Sequence, residues 1–135
     1  MKLTLHHINL STDKVEEMDE FYRSILFLER ETTGLHKLEK GNRYSGDVAI
    51  VTEGAIQTHL AERDVQAGFK TGQIVNPLEK GHIAYRTDDL DAFKAHLEAQ
   101  GVAYSDWAHT AVAGWRQIFF YDPDGNVIEV HQADA

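Results

Sequence analysis

Polar and apolar residues alternate roughly from Leu3 to Leu10, the two-residue period of a half-buried strand. Ser11, Thr12 and Asp13 then supply helix N-cap chemistry, and apolar positions at Val15, Met18, Tyr22 and Ile25 follow helical spacing. Three short strands are predicted after this helix, over Leu28–Thr33, Asp47–Thr52 and Ala55–Ala61, each bounded by Gly or charged residues. From Gly81 the order recurs. Gly81–Arg86 reads as a strand, Thr87-Asp88-Asp89 caps a helix with Leu90, Phe93 and Leu97 on one face, and Gly101 stops it. Val102–Trp107 and Trp115–Tyr121 are predicted strands, and Asp122-Pro123-Asp124-Gly125 forms a turn into Val127–Gln132. The pattern β-α-β-β-β therefore occurs twice.

The two halves also share residues. Sliding the chain by 75 positions puts His7-Ile8 on His82-Ile83 and Thr12-Asp13 on Thr87-Asp88. With loop lengths allowed to differ, Ile56-Gln57-Thr58-His59 lies over Ile128-Glu129-Val130-His131, which makes Gln57 the mate of Glu129. The sequence thus reads as one domain over residues 1–135: a first module over about 1–62, a polar linker over about 63–79 and a second module over about 80–135.

Composition narrows the function. The 135 residues fit one ordinary domain. Thirteen Lys and Arg against 22 Asp and Glu give a net charge of −9, without the basic stripe that nucleic acid demands. With no cysteine, disulfides, thiolate metal sites and a cysteine nucleophile are excluded. The start MKLTLHHINL lacks a signal peptide's apolar run and no stretch is long enough to span a membrane, so a cytoplasmic protein is expected. A phosphate loop, a dinucleotide fingerprint and a serine elbow are also missing.

What remains is a constellation of imidazoles and one carboxylate. Side chains of one parity share a face of a strand, so His7 and His82 project equivalently from matched modules, as do Gln57 and Glu129. Two imidazoles and a carboxylate suit a divalent transition metal with open positions for water or substrate. Most histidines in a chain with eight of them are surface residues; His36, His96 and His109 are read so, and His6 is set aside because its parity opposes that of His7. His59 and His131 occupy matched places and are candidates for supporting or acid–base roles. Tyr121 is a candidate proton donor, and Trp115 and Arg116, after Gly114, are candidates to grip an anionic or aromatic substrate. The carboxylates of the Asp122–Gly125 turn are read as turn formers.

His7-Ile8-Asn9-Leu10, Gly81-His82-Ile83-Ala84, Thr87-Asp88-Asp89-Leu90 and the closing run from Phe120-Tyr121-Asp122-Pro123-Asp124-Gly125 to Glu129 resemble the vicinal oxygen chelate superfamily. The resemblance spans essentially the whole chain. It implies an α+β fold of paired βαβββ modules, the glyoxalase/bleomycin resistance/dihydroxybiphenyl dioxygenase-like fold, curled around a metal and often completed by homodimerisation. The implied ligands are His7, Gln57, His82 and Glu129, and the implied ion is Fe, Ni, Zn, Mn or Co. Gln57 stands where glyoxalase I has a glutamate; a neutral amide abstracts no proton, which leaves Glu129 as the base. The implied activity is that of a glyoxalase-like lyase or isomerase on a small substrate chelated through neighbouring oxygens. An extradiol Fe(II) dioxygenase, a fosfomycin-type transferase or hydrolase, and a metal-free ligand-sequestering protein of the bleomycin-resistance kind are the alternatives.

Overall fold

The computed structural model describes residues 1–31, 46–109, 114–123 and 125–134. Its elements are β1 (Thr4–Thr12), α1 (Val15–Ser24), β2 (Glu29–Arg30), β3 (Val48–Thr52), β4 (Gln57–Glu62), α2 (Ala67–Thr71), β5 (Gly81–Arg86), α3 (Leu90–Ala99), β6 (Ser105–Ala108), β7 (Trp115–Tyr121) and β8 (Val127–Ala133). The eight strands form one mixed sheet in the order β2-β3-β4-β1-β5-β8-β7-β6. Each half contributes one side of it, with β1 and β5 meeting antiparallel at the middle and running parallel to β4 and β8 respectively. The predicted α+β fold of two βαβββ units is thus the observed one, with boundaries moved by a few residues. Residues 32 and 33 of the first half's second strand, His36 and Asp124 lie outside the described residues.

The sheet separates two environments. On its outer face α3 packs Leu90, Phe93 and Leu97 onto Ile118 and Val130, the face its apolar spacing predicts. Asp89 caps that helix, its carboxylate accepting from the Ala92 N–H. The first helix turns Val15, Met18 and Tyr22 inward and half-buried, as their spacing predicts, while Ile25 is exposed and Asp19 is its one fully buried residue. Asp19 is held there by Arg23 one turn on and by Arg30 of β2, at 2.9 and 2.6 Å, so an ion-paired carboxylate joins the apolar positions in anchoring α1.

The inner face is closed by the segment expected to be a polar linker. It folds into α2 and a following loop that bury Ala67, Val75 and Leu78 against Ala61, Trp107 and Phe119. Its apolar residues are too sparse to announce a period, and their partners come from the far half of the chain.

Gly81 opens β5 where the two halves meet, with φ +133°, and a Cβ there would lie 2.1 Å from the Asn9 carbonyl oxygen. Only glycine allows this approach, and it sets the phase of the next residue, His82. Gly81→Ala is expected to lower unfolding free energy by about 3 kcal/mol or more, read by urea denaturation. An unchanged midpoint would contradict the close approach.

Candidate metal centre

Strand register sets three rows of side chains across the inner face. One row runs Gln57, His7, Ala84, Glu129 and Phe119 through β4, β1, β5, β8 and β7. A second places His59, Asn9 and His82 side by side, and a third Arg86, His131 and Gln117. Directly paired residues point to one face, so these rows converge. Ala84 carries only a methyl group between His7 and Glu129, which leaves the gap that the longer side chains fill. His7, His82 and Glu129 meet in it: the His82 Nε2 lies 3.1 Å and the His7 Nε2 3.7 Å from the same oxygen, Glu129 Oε1. These three form a group whose ligand atoms could hold a metal ion.

The polar contacts fix how each group is presented. His82 donates from Nδ1 to the Pro77 carbonyl at 2.9 Å, which fixes the ring with its Nε2 toward the carboxylate. Glu129 is buried throughout; its Oε2 accepts from His131 Nδ1 at 2.6 Å and its Oε1 from Gln117 Nε2 at 3.2 Å. His131 Nε2 in turn accepts from Arg86 Nε at 3.0 Å, which places the imidazole proton on Nδ1, toward Glu129. His7 Nδ1 faces His6 Nδ1 at 2.8 Å, and donation in that direction frees His7 Nε2 as a lone pair. The Gln117 Oε1 is buried without a partner among the described residues.

Electrostatics follow from this packing. Burial pushes the His7 imidazolium well below its ordinary range, Glu129 opposing, and burial brings His59 down to about 3. His6 falls to about 4, through burial first and then the neighbouring His131 and Arg86. Burial alone would raise the Glu129 carboxyl, but the surrounding imidazoles of His7, His131 and His82 outweigh it and hold Glu129 well below the carboxylate range. Burial thus favours the neutral form of His6, His7 and His59 around an ionised carboxylate. Two imidazole nitrogens converging on one carboxylate oxygen are donors suited to a divalent ion. The residues present fit such an ion.

The other candidates from the sequence fall in different places. Gln57 pairs with His7 across β1 and β4, and its Oε1 lies 2.8 Å from His59 Nε2. His59 stacks on His7 with ring centroids 3.7 Å apart. Trp115 is buried and stacks on His131 at 4.1 Å. Arg116 points to the outer face, where it pairs with Asp91 of α3 and Gln132, both at 3.1 Å. Tyr121 ends β7 at the sheet's rim and is 46% exposed, apart from the cluster. His109 pairs with Asp134 at the surface, and His96 lies on α3 beside Phe93.

Three residues are not singled out by the sequence pattern. His6 shares the inner face because β1 bulges there: Leu5 pairs with Tyr85 and His7 with Ala84, so His6 is one residue too many and strict alternation fails. Gln117 and Arg86 enter only through register with His131. A polar Gln between Arg116 and Ile118 in a largely aromatic strand is the signal available for Gln117; for Arg86 none stands out.

Comparison with known proteins agrees with this architecture. The family described as the Glyoxalase/Bleomycin resistance protein/Dioxygenase superfamily matches residues 4–130. Glyoxylase I 4 of Arabidopsis thaliana is 24% identical over 134 residues, covering 98% of this chain and 72% of that protein. Among solved structures, a hypothetical protein of Bacillus halodurans superposes with a TM-score of 0.72 at 17% identity, covering 100% of this chain and 97% of that one. Methylmalonyl-CoA epimerase of Mycobacterium tuberculosis does so with 0.70 at 19%, covering 98% and 89%.

Proposed function

Because the chain belongs to the Glyoxalase/Bleomycin resistance protein/Dioxygenase superfamily, we propose that it is a divalent-metal-dependent lyase or isomerase that moves a proton on a small substrate chelated through neighbouring oxygens. The observation that carries this reading is the convergence of His7 Nε2 and His82 Nε2 on Glu129 Oε1, at 3.7 and 3.1 Å, with the His82 ring held by the Pro77 carbonyl. In this reading His7, His82 and Glu129 hold the ion, and Gln57 is the fourth ligand. A bound divalent ion supplies stabilisation of the negative charge that develops on the chelated substrate oxygens.

The chain's own residues supply the rest. Glu129 is ionised and is the acceptor for the substrate proton, while His131 and Gln117 hold its two oxygens in place. His59 holds the Gln57 amide, and His6 fixes the His7 ring through Nδ1. Trp107, Phe119 and the α2 segment exclude water from one side of the cluster. The assembly proposed is a homodimer in the cytoplasm; Ile8 and Ile83, paired on the outer face of β1 and β5, offer half-exposed apolar area for the contact. Among the described residues no helix is long and apolar enough to cross a membrane.

The same donor set suits Fe(II) with adjacent open positions, which makes extradiol oxygen chemistry the second reading. Elemental analysis of protein purified without chelator, followed by reconstitution with Fe(II), Ni(II), Mn(II), Co(II) and Zn(II), tests both. About one ion per chain together with metal-dependent exchange of carbon-bound hydrogen in D2O supports proton transfer; oxygen uptake with Fe(II) alone transfers the case to the dioxygenase reading. Absence of any metal uptake rejects both. Gln57→Ala is expected to weaken metal binding about 10-fold or less, well short of removing a core ligand, as followed by competition with a chromogenic chelator. An unchanged affinity would leave a three-ligand site.

A further inference from the structure

Five arginines lie among the described residues, and four of them have a carboxylate partner: Arg23 and Arg30 bind Asp19, Arg63 binds Asp13 and Arg116 binds Asp91. Arg86 is the exception. It ends β5 on the inner face, donates from Nε to the His131 imidazole at 3.0 Å, and lays its guanidinium over the Trp115 ring at 5.1 Å. Trp115 is itself stacked on His131, so an indole and an imidazole fix the plane of the guanidinium from two sides. Its terminal nitrogens, Nη1 and Nη2, bond to nothing among the described residues. The nearest acid of the cluster, Glu129, is screened from it by the whole His131 ring.

Arg86 lines a cavity of about 430 Å³ together with Lys2, His6 and Gln57. Gln57 and His6 are also neighbours of His7, so the cavity adjoins the candidate metal centre. Glu31 and Asp88 line it too, yet neither is within ion-pair distance of Arg86. A partly desolvated guanidinium with one edge committed and the other open is a preformed fork for a planar anion. Leaving it without an anion is costly, and burial already lowers its proton affinity.

We propose that Arg86 is the receptor for a carboxylate carried by the substrate at the end remote from its chelating oxygens. Resting on the metal-centre reading for that other end, this makes the substrate class a small oxo or hydroxy acid bearing a second carboxylate. Nη1 and Nη2 take the two oxygens of the remote carboxylate, Lys2 adds positive charge, and the metal centre takes the reacting end. Selection is by charge: an analogue with a methyl group in place of the remote carboxylate leaves the guanidinium desolvated and unpaired.

Calorimetric titration with matched probes tests the proposal. The probes are 2-oxo diacids of four to six carbons, each set against the 2-oxo acid in which a methyl group replaces the distal carboxylate. Zinc-loaded protein is expected to bind at least one diacid about 10-fold or more tightly than its methyl partner. Arg86→Gln abolishes that preference, and Arg86→Lys keeps part of it, because charge survives without the fork. Metal content is measured in every sample, and the titrations are repeated on chelator-stripped protein, where a weaker preference for the diacid persists. No preference at any length in the zinc-loaded protein, or the same preference in Arg86→Gln, overturns the proposal. Failure of the metal-centre reading looks different: no zinc is retained, while the stripped protein still discriminates between the probes.

Discussion

Glu129→Gln is expected to strip the protein of metal, reducing retention from about one ion per chain to background in elemental analysis, with the circular dichroism spectrum of the fold retained. The substitution keeps the shape of the side chain and removes only its charge. That charge is the sole anionic contribution to the cluster formed with His7 and His82, and its Oε1 is the point on which both imidazole nitrogens converge. Removing one partner of a buried, hydrogen-bonded ionic group costs about 3–5 kcal/mol, equivalent to roughly two to four powers of ten in affinity. His82→Ala should lose the ion as well, since it deletes a proposed ligand whose ring is oriented by the Pro77 carbonyl. His96→Ala, on α3 and away from the cluster, serves as the control and retains full occupancy. Equal metal content in Glu129→Gln and the parent protein would remove the proposed centre.

The second large effect is acid lability of the metal-free protein, beginning at a pH where carboxylates do not titrate. His7, His59 and His6 all have folded-state pKa values below the ordinary 6.5, with His59 near 3 and His6 near 4. The unfolded chain therefore binds more protons than the folded one below about pH 6.5, and stability must fall as pH falls. The contribution is complete above pH 6.5 and is lost progressively on the way down toward the folded values. Glu129 acts in the same direction at lower pH, because its folded pKa is also depressed. For the two deeply buried rings, His7 and His59, the limiting slope is about 3 kcal/mol per pH unit, with His6 adding to it. Urea titrations of chelator-treated protein between pH 7.5 and pH 5 would display it. His59→Gln should reduce the slope by one proton's worth, and a bound metal, which competes with protons for the same nitrogens, should shift the loss to lower pH. A stability flat across this range would contradict the burial of neutral imidazoles.

His7, His82 and Glu129 are legible in the sequence because each half of the chain repeats the other, and the repeat lifts two histidines and one carboxylate out of a background of eight and 22 respectively. Strand parity places His59 and His131 on the same face by the same reasoning. Parity also explains the failure at His6: alternation holds only while the ladder is regular, and one extra residue between Leu5 and His7 turns a residue assigned to the far face toward the cluster. The repeat is itself imperfect in space. Gln57 pairs with His7, whereas its mate Glu129 pairs with Ala84, two residues beyond the His82 that matches His7, so the two halves contribute unlike donors from unlike positions.

Periodicity, capping residues and self-similarity are local properties, and from them the sequence determined the order of elements, the apolar face of α3, the duplication and the chemical types of the clustered side chains. Register, depth and partnership depend on segments far apart in the chain, and these the tertiary structure decided. It alone joins Arg86 to Glu129 through His131, leaves Gln117 beside the carboxylate, turns Arg116 outward to Asp91 and folds residues 63–79 over Trp107 and Phe119. The physical reason is that a side chain's pattern records which face it prefers, while its chemistry depends on which distant strand is hydrogen-bonded beside it.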